Sequence, residues 1–205
     1  MVQVSNRRSN RASAERLRKR SEARRVDILR AAARVFRRRG TGATGMREIA
    51  EEAELSPGNL YYYFESKDEL LHFCQERTLK QLLAAVDAAK AAATCAERLR
   101  AVLRAHVHAL LDELEGATAH LDIESLPDAV RVPLVKKRDS YERAVRALVT
   151  EGISRGEFAP CDAALVTRAM LGAANWTARW YRPNGPKSAD EIAGAIADYL
   201  VKGLA

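Results

Sequence analysis

Two short helix-forming segments separated by three residues, Glu54-Leu55-Ser56, constrain this chain more than any other feature. The apolar residues of the first segment recur at helical spacing: Met46, Ile49, Ala50 and Ala53. Ser56 is a strong N-cap residue and Pro57 suits the first helical position, so a second helix begins at once. Such a short connection predicts a helix-turn-helix, a motif that places the N-terminal end of its second helix in the DNA major groove.

The second segment carries three consecutive tyrosines behind a small N-terminal end. Neighbouring helical residues point about 100° apart, so at least one ring faces outward and one is expected in the core. An exposed phenol can donate to a phosphate or pack on a thymine methyl. A capping box, Ser66 to Glu69, opens a third helix. The predicted DNA contacts are Thr44, Arg47, Pro57, Gly58, Asn59, Tyr61, Tyr62, Tyr63 and Lys67, with Arg24 and Arg25 from upstream.

The run from Arg47 to Leu71 resembles the DNA-binding domain of the TetR family of transcriptional repressors. The residues that match in order and spacing are Ile49-Ala50, Ala53, Leu55-Ser56, Gly58, Leu60-Tyr61, Phe64, Lys67 and Glu69-Leu70. Glu54 departs from the family, which commonly has glycine in this turn, so a left-handed backbone here would be strained. Gly45 replaces the usual Thr or Ser cap, although Glu48 can still accept from its N–H.

Basic charge is concentrated at the start of the chain. The first forty residues hold fourteen Arg or Lys and three acids, a balance of +11, whereas the whole chain is +7, so the remainder is −4. This asymmetry places a polyanion-binding surface beside the helix-turn-helix. Residues 1–20 lack an apolar stripe and are expected to form an arm without regular structure. The arm either contacts a minor groove or adjacent phosphates, or serves as a solubilising tail.

Apolar periodicity predicts helices along the rest of the chain, and no strand signal competes with them. An upstream helix with an apolar face from Val26 to Phe36 ends at Gly40. Downstream helices are predicted at about 66–90, 94–115, 118–125, 127–155, 162–181 and 188–204. We interpret the chain as an all-α protein of about nine helices. Its parts are a basic arm at 1–20, a helix-turn-helix domain at 21–68, and a helical effector-binding and dimerisation domain at 69–205.

Residues 171–183 contain an aromatic and basic cluster. Trp176 and Trp180 are four residues apart on one helix face, and the neighbouring face carries Asn175, Arg179 and Arg182. This composition suits a ligand with a bulky apolar part and an anionic part. The segment is similar to that of TetR-type repressors of fatty-acid and steroid-ring degradation, whose effectors are acyl-CoA thioesters. Alternatively, the tryptophans pack in a dimer bundle and the arginines pair with acids across it.

The resemblance also implies a homodimer, because family members pair through their two C-terminal helices. Small residues there would permit close approach of a second copy, and the expected interface residues are Gly172, Ala173, Trp176, Gly194 and Ala197. A dimer places two recognition helices about 34 Å apart, in successive major grooves. The alternative is that these small residues fill a contact within one subunit.

Other functional classes find little support. No apolar run approaches the ~18 residues of a membrane span, and Cys74, Cys95 and Cys161 are too few and too scattered for a disulfide framework or a zinc site. His106 and His108, two residues apart, face different sides of a helix and make poor joint metal ligands. We expect a cytoplasmic, ligand-released homodimeric repressor without catalytic residues or cofactor. The alternatives are an architectural DNA-binding protein without an effector, and an enzyme whose motif is fortuitous.

Overall fold

The computed structural model describes residues 2–112 and 126–205, and these residues form helices without any strand. Its eight helices are α1 (Val2–Arg39), α2 (Met46–Glu52), α3 (Pro57–Tyr63), α4 (Lys67–Ala89), α5 (Cys95–Leu111), α6 (Asp128–Ser154), α7 (Ala163–Trp180) and α8 (Ala189–Lys202). The predicted all-α class is confirmed. The short helix predicted at 118–125 lies outside the described residues.

The first helix is much longer than the sequence analysis predicted, because it starts at Val2 instead of after an irregular arm. Residues 2–39 contain no glycine or proline and are rich in arginine and alanine, which favour helix. Lys19 also pairs with Glu15 one turn earlier, at 2.9 Å. The helix ends where expected, since Gly40 adopts a left-handed φ of +79° and its N–H donates to the Phe36 carbonyl at 2.7 Å.

One apolar core joins the helix-turn-helix to the rest of the protein. Its buried members from α1 to α4, and from the residue that follows α3, include Ile28, Leu29, Ala32, Phe36, Ile49, Leu60, Phe64, Leu70 and Cys74. Leu126, just before α6, and Leu134 within α6 are buried in the same core. The DNA-binding helices therefore share their packing with α6, and a shift of α6 would reach them directly.

Helix α5 is the centre of the C-terminal part and packs against α4, α6, α7 and α8. A capping box formed by Thr94 and Glu97 starts this helix, and the Glu157 carboxylate accepts a further bond from the Cys95 N–H at 2.6 Å. Helices α7 and α8 both lie on α5, and the space between them stays partly open. We call this space the α7–α8 groove.

Candidate DNA-binding surface and effector site

The turn between α2 and α3 has the geometry of a Schellman motif. Glu54 occupies the left-handed position with φ +54°, as expected for a position where the TetR family commonly has glycine. Its N–H donates to the Glu51 carbonyl at 3.1 Å, and the Leu55 N–H donates to the Ala50 carbonyl at 2.9 Å. The Ser56 hydroxyl then accepts from the Asn59 N–H at 3.2 Å, which starts α3. The predicted helix-turn-helix is thereby formed.

Carboxylates on α2 hold it against α1. Glu48 accepts from the Gly45 N–H at 2.7 Å, so the glycine cap works as expected, and Arg39 pairs with the same carboxylate. Glu52 binds Arg38 and Arg34, at 2.5 and 2.6 Å. Hydrogen bonding to Arg38 and then to Arg34 lowers the pKa of Glu52 below its usual range. The arginines near the end of α1 thus fix the orientation of α2.

The N-terminal end of α3 is open to solvent. Its exposed residues are Pro57, Gly58, Asn59, Tyr61 and Tyr62, and Arg47 on α2 is exposed nearby in sequence. Tyr62 has 82% of its surface exposed, whereas Tyr63 packs against the core and meets the Tyr62 ring edge-on at 5.1 Å. A Cβ added to Gly58 would meet nothing within 4 Å, so packing within the protein does not demand a glycine there. This end of α3, Pro57 to Tyr62, is the candidate reading end.

Two residues predicted to contact phosphates have internal partners instead. Thr44 is only 3% exposed, and its hydroxyl donates to the Gly40 carbonyl at 2.8 Å. Lys67 donates from Nζ to the Thr41 and Thr44 carbonyls, at 2.9 and 3.3 Å. Both side chains therefore stabilise the loop between α1 and α2. Sequence spacing could not reveal this, because a lysine at a helix start looks the same whether it meets a carbonyl or a phosphate.

Arg25 and Arg24, also predicted to contact DNA, are half-buried and have partners within the domain as well. The Arg25 guanidinium sits 4.4 Å from the Phe64 ring centre and 4.5 Å from that of Phe73, and it binds Glu69 at 2.8 Å. Arg24 reaches the Ala53 carbonyl in the helix-turn-helix turn at 3.5 Å. The structure corrects the assignment of Arg25, which joins α1 to α4.

The predicted effector residues divide between the interior and the surface. Asn175 points inward, and its Oδ1 lies 2.9 Å from Nε2 of His106, whose Nδ1 lies 3.0 Å from the Tyr141 hydroxyl. Burial lowers the pKa of His106 to about 4 and raises the pKa of Tyr141. Neutral His106 can accept from Tyr141 and donate to Asn175, so this polar chain is satisfied. Asn175 is therefore not part of the exposed group of predicted effector residues.

Trp176, Arg179, Trp180 and Arg182 are exposed or half-buried on the outer side. A cavity of about 370 Å³ opens at one end of the α7–α8 groove, and we call it the groove cavity. Its lining consists of Trp180, Tyr181, Arg182, Gly185, Pro186, Lys187, Ile192, Ala195 and Ile196. The lining is mainly apolar and carries two cations and no carboxylate. Two of the predicted effector residues, Trp180 and Arg182, line this cavity. Lys187 and the isoleucines of α8 also line it, and they are too distant in sequence for helical spacing to have predicted them.

A larger cavity of about 690 Å³ lies beside α5 and is lined in part by Arg100, Arg104, His108 and Asp190. Its arginines are already paired, since Arg104 binds Asp190 and Arg100 binds Asp198, both at 2.6 Å, and His108 lies 2.9 Å from Asp190. Hydrogen bonding to Arg104, then to His108, lowers the pKa of Asp190. Despite its size, this carboxylate-containing cavity suits an anionic ligand less well than the groove cavity does.

The outer face of α7 and α8 is apolar and without a partner in the described chain. Large exposed side chains on it include Leu165, Trp176 and Tyr199, with 65%, 64% and 77% of their surfaces exposed. Gly172 and Ala173 are exposed and Gly194 is half-buried, and a Cβ on either glycine would meet nothing within 4 Å. Ala197 is fully buried in the core beside α5, so its assignment to the dimer interface was wrong. Gly194 and Ala197 are three residues apart on α8, and only Ala197 is fully buried.

Metal and membrane sites find no structural support in the described parts of the chain. Residues 2–112 and 126–205 contain no group of three His, Cys, Asp or Glu side chains that could hold a metal ion. Within the same ranges no helix is both long and apolar enough to span a bilayer. Cys74 and Cys95 are buried and Cys161 is exposed, and all three are free thiols.

Two family profiles match this arrangement of domains. The profile described as "Bacterial regulatory proteins, tetR family" matches residues 28–73, and "Tetracyclin repressor-like, C-terminal domain" matches residues 92–204. The chain belongs to the TetR family. It is accordingly a helix-turn-helix transcriptional regulator of a family of DNA-binding proteins and not an enzyme.

Named relatives cover nearly the whole chain. The HTH-type transcriptional repressor KstR2 of Mycobacterium tuberculosis (strain ATCC 25618 / H37Rv) is 30% identical over 185 residues, which span 88% of this chain and 92% of KstR2. The structure of PfmR from Thermus thermophilus, a TetR family transcriptional regulator, is 36% identical with a TM-score of 0.78, covering 87% of this chain and 98% of PfmR. AibR in complex with isovaleryl coenzyme A and operator DNA is 25% identical with a TM-score of 0.70, covering 88% and 97%.

Proposed function

We propose that this TetR-family regulator is a homodimeric repressor that leaves a (pseudo)palindromic operator when an acyl-CoA thioester or a related lipid-metabolism intermediate binds. The observation that carries the effector class is the groove cavity, with apolar walls and two cations, Arg182 and Lys187. An acyl chain suits the walls, and coenzyme A phosphates suit the cations. The AibR complex with isovaleryl coenzyme A and operator DNA supports the same class.

The proposed dimer uses the exposed face of α7 and α8 around Leu165, Gly172 and Tyr199. Each protomer then presents one reading end to successive major grooves about 34 Å apart. The groove cavity lies between the same two helices, so a bound ligand would change how these helices pack in the dimer. A ligand that favours a different separation of the reading ends weakens operator binding without touching DNA.

A physical connection from α7, whose last residue Trp180 lines the cavity, to the DNA-binding helices supports the proposal. Asn175 on α7 bonds to His106 on α5, which bonds to Tyr141 on α6. Two turns before Tyr141, Leu134 of α6 is buried in the core that also contains Leu60 and Phe64. A movement of α7 can thus reach α3 through contacts between helices.

The test measures operator release directly. A duplex selected by the full chain from a random pool would be labelled, and its dissociation constant measured by fluorescence anisotropy with acyl-CoA thioesters of graded length, free coenzyme A and free acids. We expect a matching thioester to raise the dissociation constant by roughly 5- to 150-fold, the usual range of allosteric coupling. Arg182→Ala should lose most of this response while retaining operator affinity, because Arg182 lines the groove cavity.

Arg143→Ala provides a matched control, because Arg143 is exposed on α6 and lies outside the lining of that cavity. A full response in Arg182→Ala would show that the effector does not bind in the groove cavity. Release by none of the thioesters or acids would instead favour an architectural DNA-binding protein that has no effector.

A further inference from the structure

The N-terminal extension of α1 is a basic surface that the helix-turn-helix does not use. We call residues 2–23 the basic extension. It contains seven basic residues, Arg7, Arg8, Arg11, Arg16, Arg18, Lys19 and Arg20, and two acids, Glu15 and Glu22, so its net charge is 7 − 2 = +5. The side chains of Arg16, Arg18, Lys19 and Arg20 are exposed. A helix this basic attracts a polyanion over distances of about a Debye length.

Its position is set by the contacts at its C-terminal end. The helix passes the turn that leads into α3, where Arg24 meets the Ala53 carbonyl at 3.5 Å, and the start of α4, where Arg25 binds Glu69. The extension therefore leaves the domain beside the segment that carries the reading end. At about 1.5 Å per residue its length is about 33 Å, close to the ~34–36 Å of one turn of B-DNA.

Helical periodicity keeps arginines in line with the packed face of α1. Positions 18 and 25 are seven residues apart and align with buried Ala32 and Phe36, so arginines extend the side of α1 that contacts α2 and α3. Among the described side chains of the extension, Leu17 is the one exposed large apolar residue. A helix that binds a membrane surface needs a continuous apolar face, which this pattern lacks.

We infer that the basic extension is a second DNA-binding element, which follows the phosphates that flank the half-site bound by α3. It lengthens the contacted DNA by up to about one helical turn per protomer and contributes affinity without reading bases. The inference rests on the proposed function only in requiring that α3 occupies the major groove of an operator.

The experiment compares four chains on two duplexes. The duplexes are the shortest palindrome that the full chain retains from a random pool, and the same palindrome with about 12 bp of unrelated sequence on each side, roughly one helical turn. The chains are the wild type, a variant with Arg16, Arg18, Lys19 and Arg20 changed to Gln, Tyr62→Ala, and a control with Lys80, Lys90, Lys136 and Arg143 changed to Gln. The control removes the same charge from exposed positions on α4, at its C-terminal end and on α6.

We expect the wild type to bind the longer duplex more tightly and with a steeper dependence on salt. The extension variant should lose that preference, and its slope of log K against log salt should fall by about 0.9 for each phosphate that it no longer neutralises. The control variant should keep both properties. Equal slopes in the wild type and the extension variant would overturn the inference, as would an equally reduced slope in the control.

The same data separate this inference from the proposed function. If Tyr62→Ala loses the palindrome while the extension variant keeps its sequence preference, the helix-turn-helix reads the operator and the extension supplies phosphate contacts. Failure of the wild type to select any palindrome would count against the proposed function. The salt slopes of the wild type and the extension variant would then be compared on a duplex of unrelated sequence, and equal slopes there would overturn the inference. Binding of the extension to vesicles of anionic phospholipid, with unchanged DNA slopes, would assign it to a membrane and contradict the inference.

Discussion

Glu54 is a strained residue in the turn of the helix-turn-helix. Its φ of +54° lies in the left-handed region, where a side chain crowds the following carbonyl. The backbone has no alternative, because the Schellman bonds from residues 54 and 55 close α2 and aim the chain into α3. The hydrogen bonds of the turn therefore hold Glu54 in this strained conformation.

Replacing Glu54 with glycine should stabilise the protein by about 0.5–1 kcal/mol. Glycine removes the left-handed strain, which outweighs the extra freedom that it gives the unfolded chain. Urea unfolding at pH 7 measures the difference. Glu54→Ala is the matched control, since it keeps the Cβ and loses the rest of the side chain, including the carboxylate. If Glu54→Ala stabilises the protein as much as Glu54→Gly does, the carboxylate and not the left-handed backbone is the source of the destabilisation.

Lys67 and Arg25 show that residue type alone does not decide whether a cation contacts DNA or a group within the protein. Both are cations near the reading end, and both satisfy internal groups: loop carbonyls for Lys67, two aromatic rings and Glu69 for Arg25. Charge and proximity suggested phosphate contacts, but a buried carbonyl is an equally good acceptor. The exposed candidates, Arg47, Asn59 and Tyr62, remain predicted DNA contacts.

Among the helices, α5, α6 and α7 are joined by the polar chain of Tyr141, His106 and Asn175. His106 follows the same inward face of α5 as Leu99, Val102 and Leu103. Its neighbours from α6 and α7 supply a donor and an acceptor, so a buried imidazole is tolerated. Burial is the main reason its pKa falls to about 4, and the charge of Arg138 acts in the same direction.

This polar chain predicts acid sensitivity. Between pH 6.5 and about 4 the unfolded protein binds a proton at His106 and the folded protein does not, so stability must fall as the pH drops through this range. At pH 5 the loss relative to pH 7 should be about 2 kcal/mol, since each pH unit below 6.5 contributes about 1.36 kcal/mol. Urea unfolding of the wild type and His106→Gln at both pH values isolates this contribution. An unchanged pH dependence in the variant would exclude His106 as its source.

At the scale of the whole molecule, the outer face of α7 and α8 exposes several large apolar side chains among the described residues. Leu165, Trp176 and Tyr199 are exposed there, and Gly172 leaves room for close approach. A monomer gains nothing from exposing large apolar side chains, whereas a dimer removes them from water. The proposed interface and the groove cavity occupy the same pair of helices, which would give the proposed coupling of effector to operator its physical basis.

Substitution of Gly172 by glutamate should convert the proposed dimer to a monomer and weaken operator binding at least tenfold, a change of about 1.4 kcal/mol or more. The protomer should remain folded, because a Cβ at this position meets nothing within 4 Å. Sedimentation equilibrium and anisotropy measure the two effects. Ala147→Glu, on an exposed position of α6, adds the same charge away from the interface. A dimeric Gly172→Glu protein would place the interface elsewhere.

Local patterns alone were enough to predict most helices, the capped turn before α3 and the family. Apolar periodicity, caps and turn residues act within a few positions along the chain, so they can be read without knowing what lies across the core. The exposed reading end and the inward packing of one tyrosine followed from the same periodicity.

Only the tertiary structure decided which polar side chains are internal and which face solvent. The partners of Lys67, Arg25 and Asn175 come from distant segments, and Ala197 is buried because α8 lies on α5. The groove cavity likewise brings together Arg182, in the loop after α7, and Ile196 on α8. The sequence by itself determined the fold class and the DNA-binding motif, because these depend on short-range order. The candidate effector site depends on long-range packing, which no local pattern specifies.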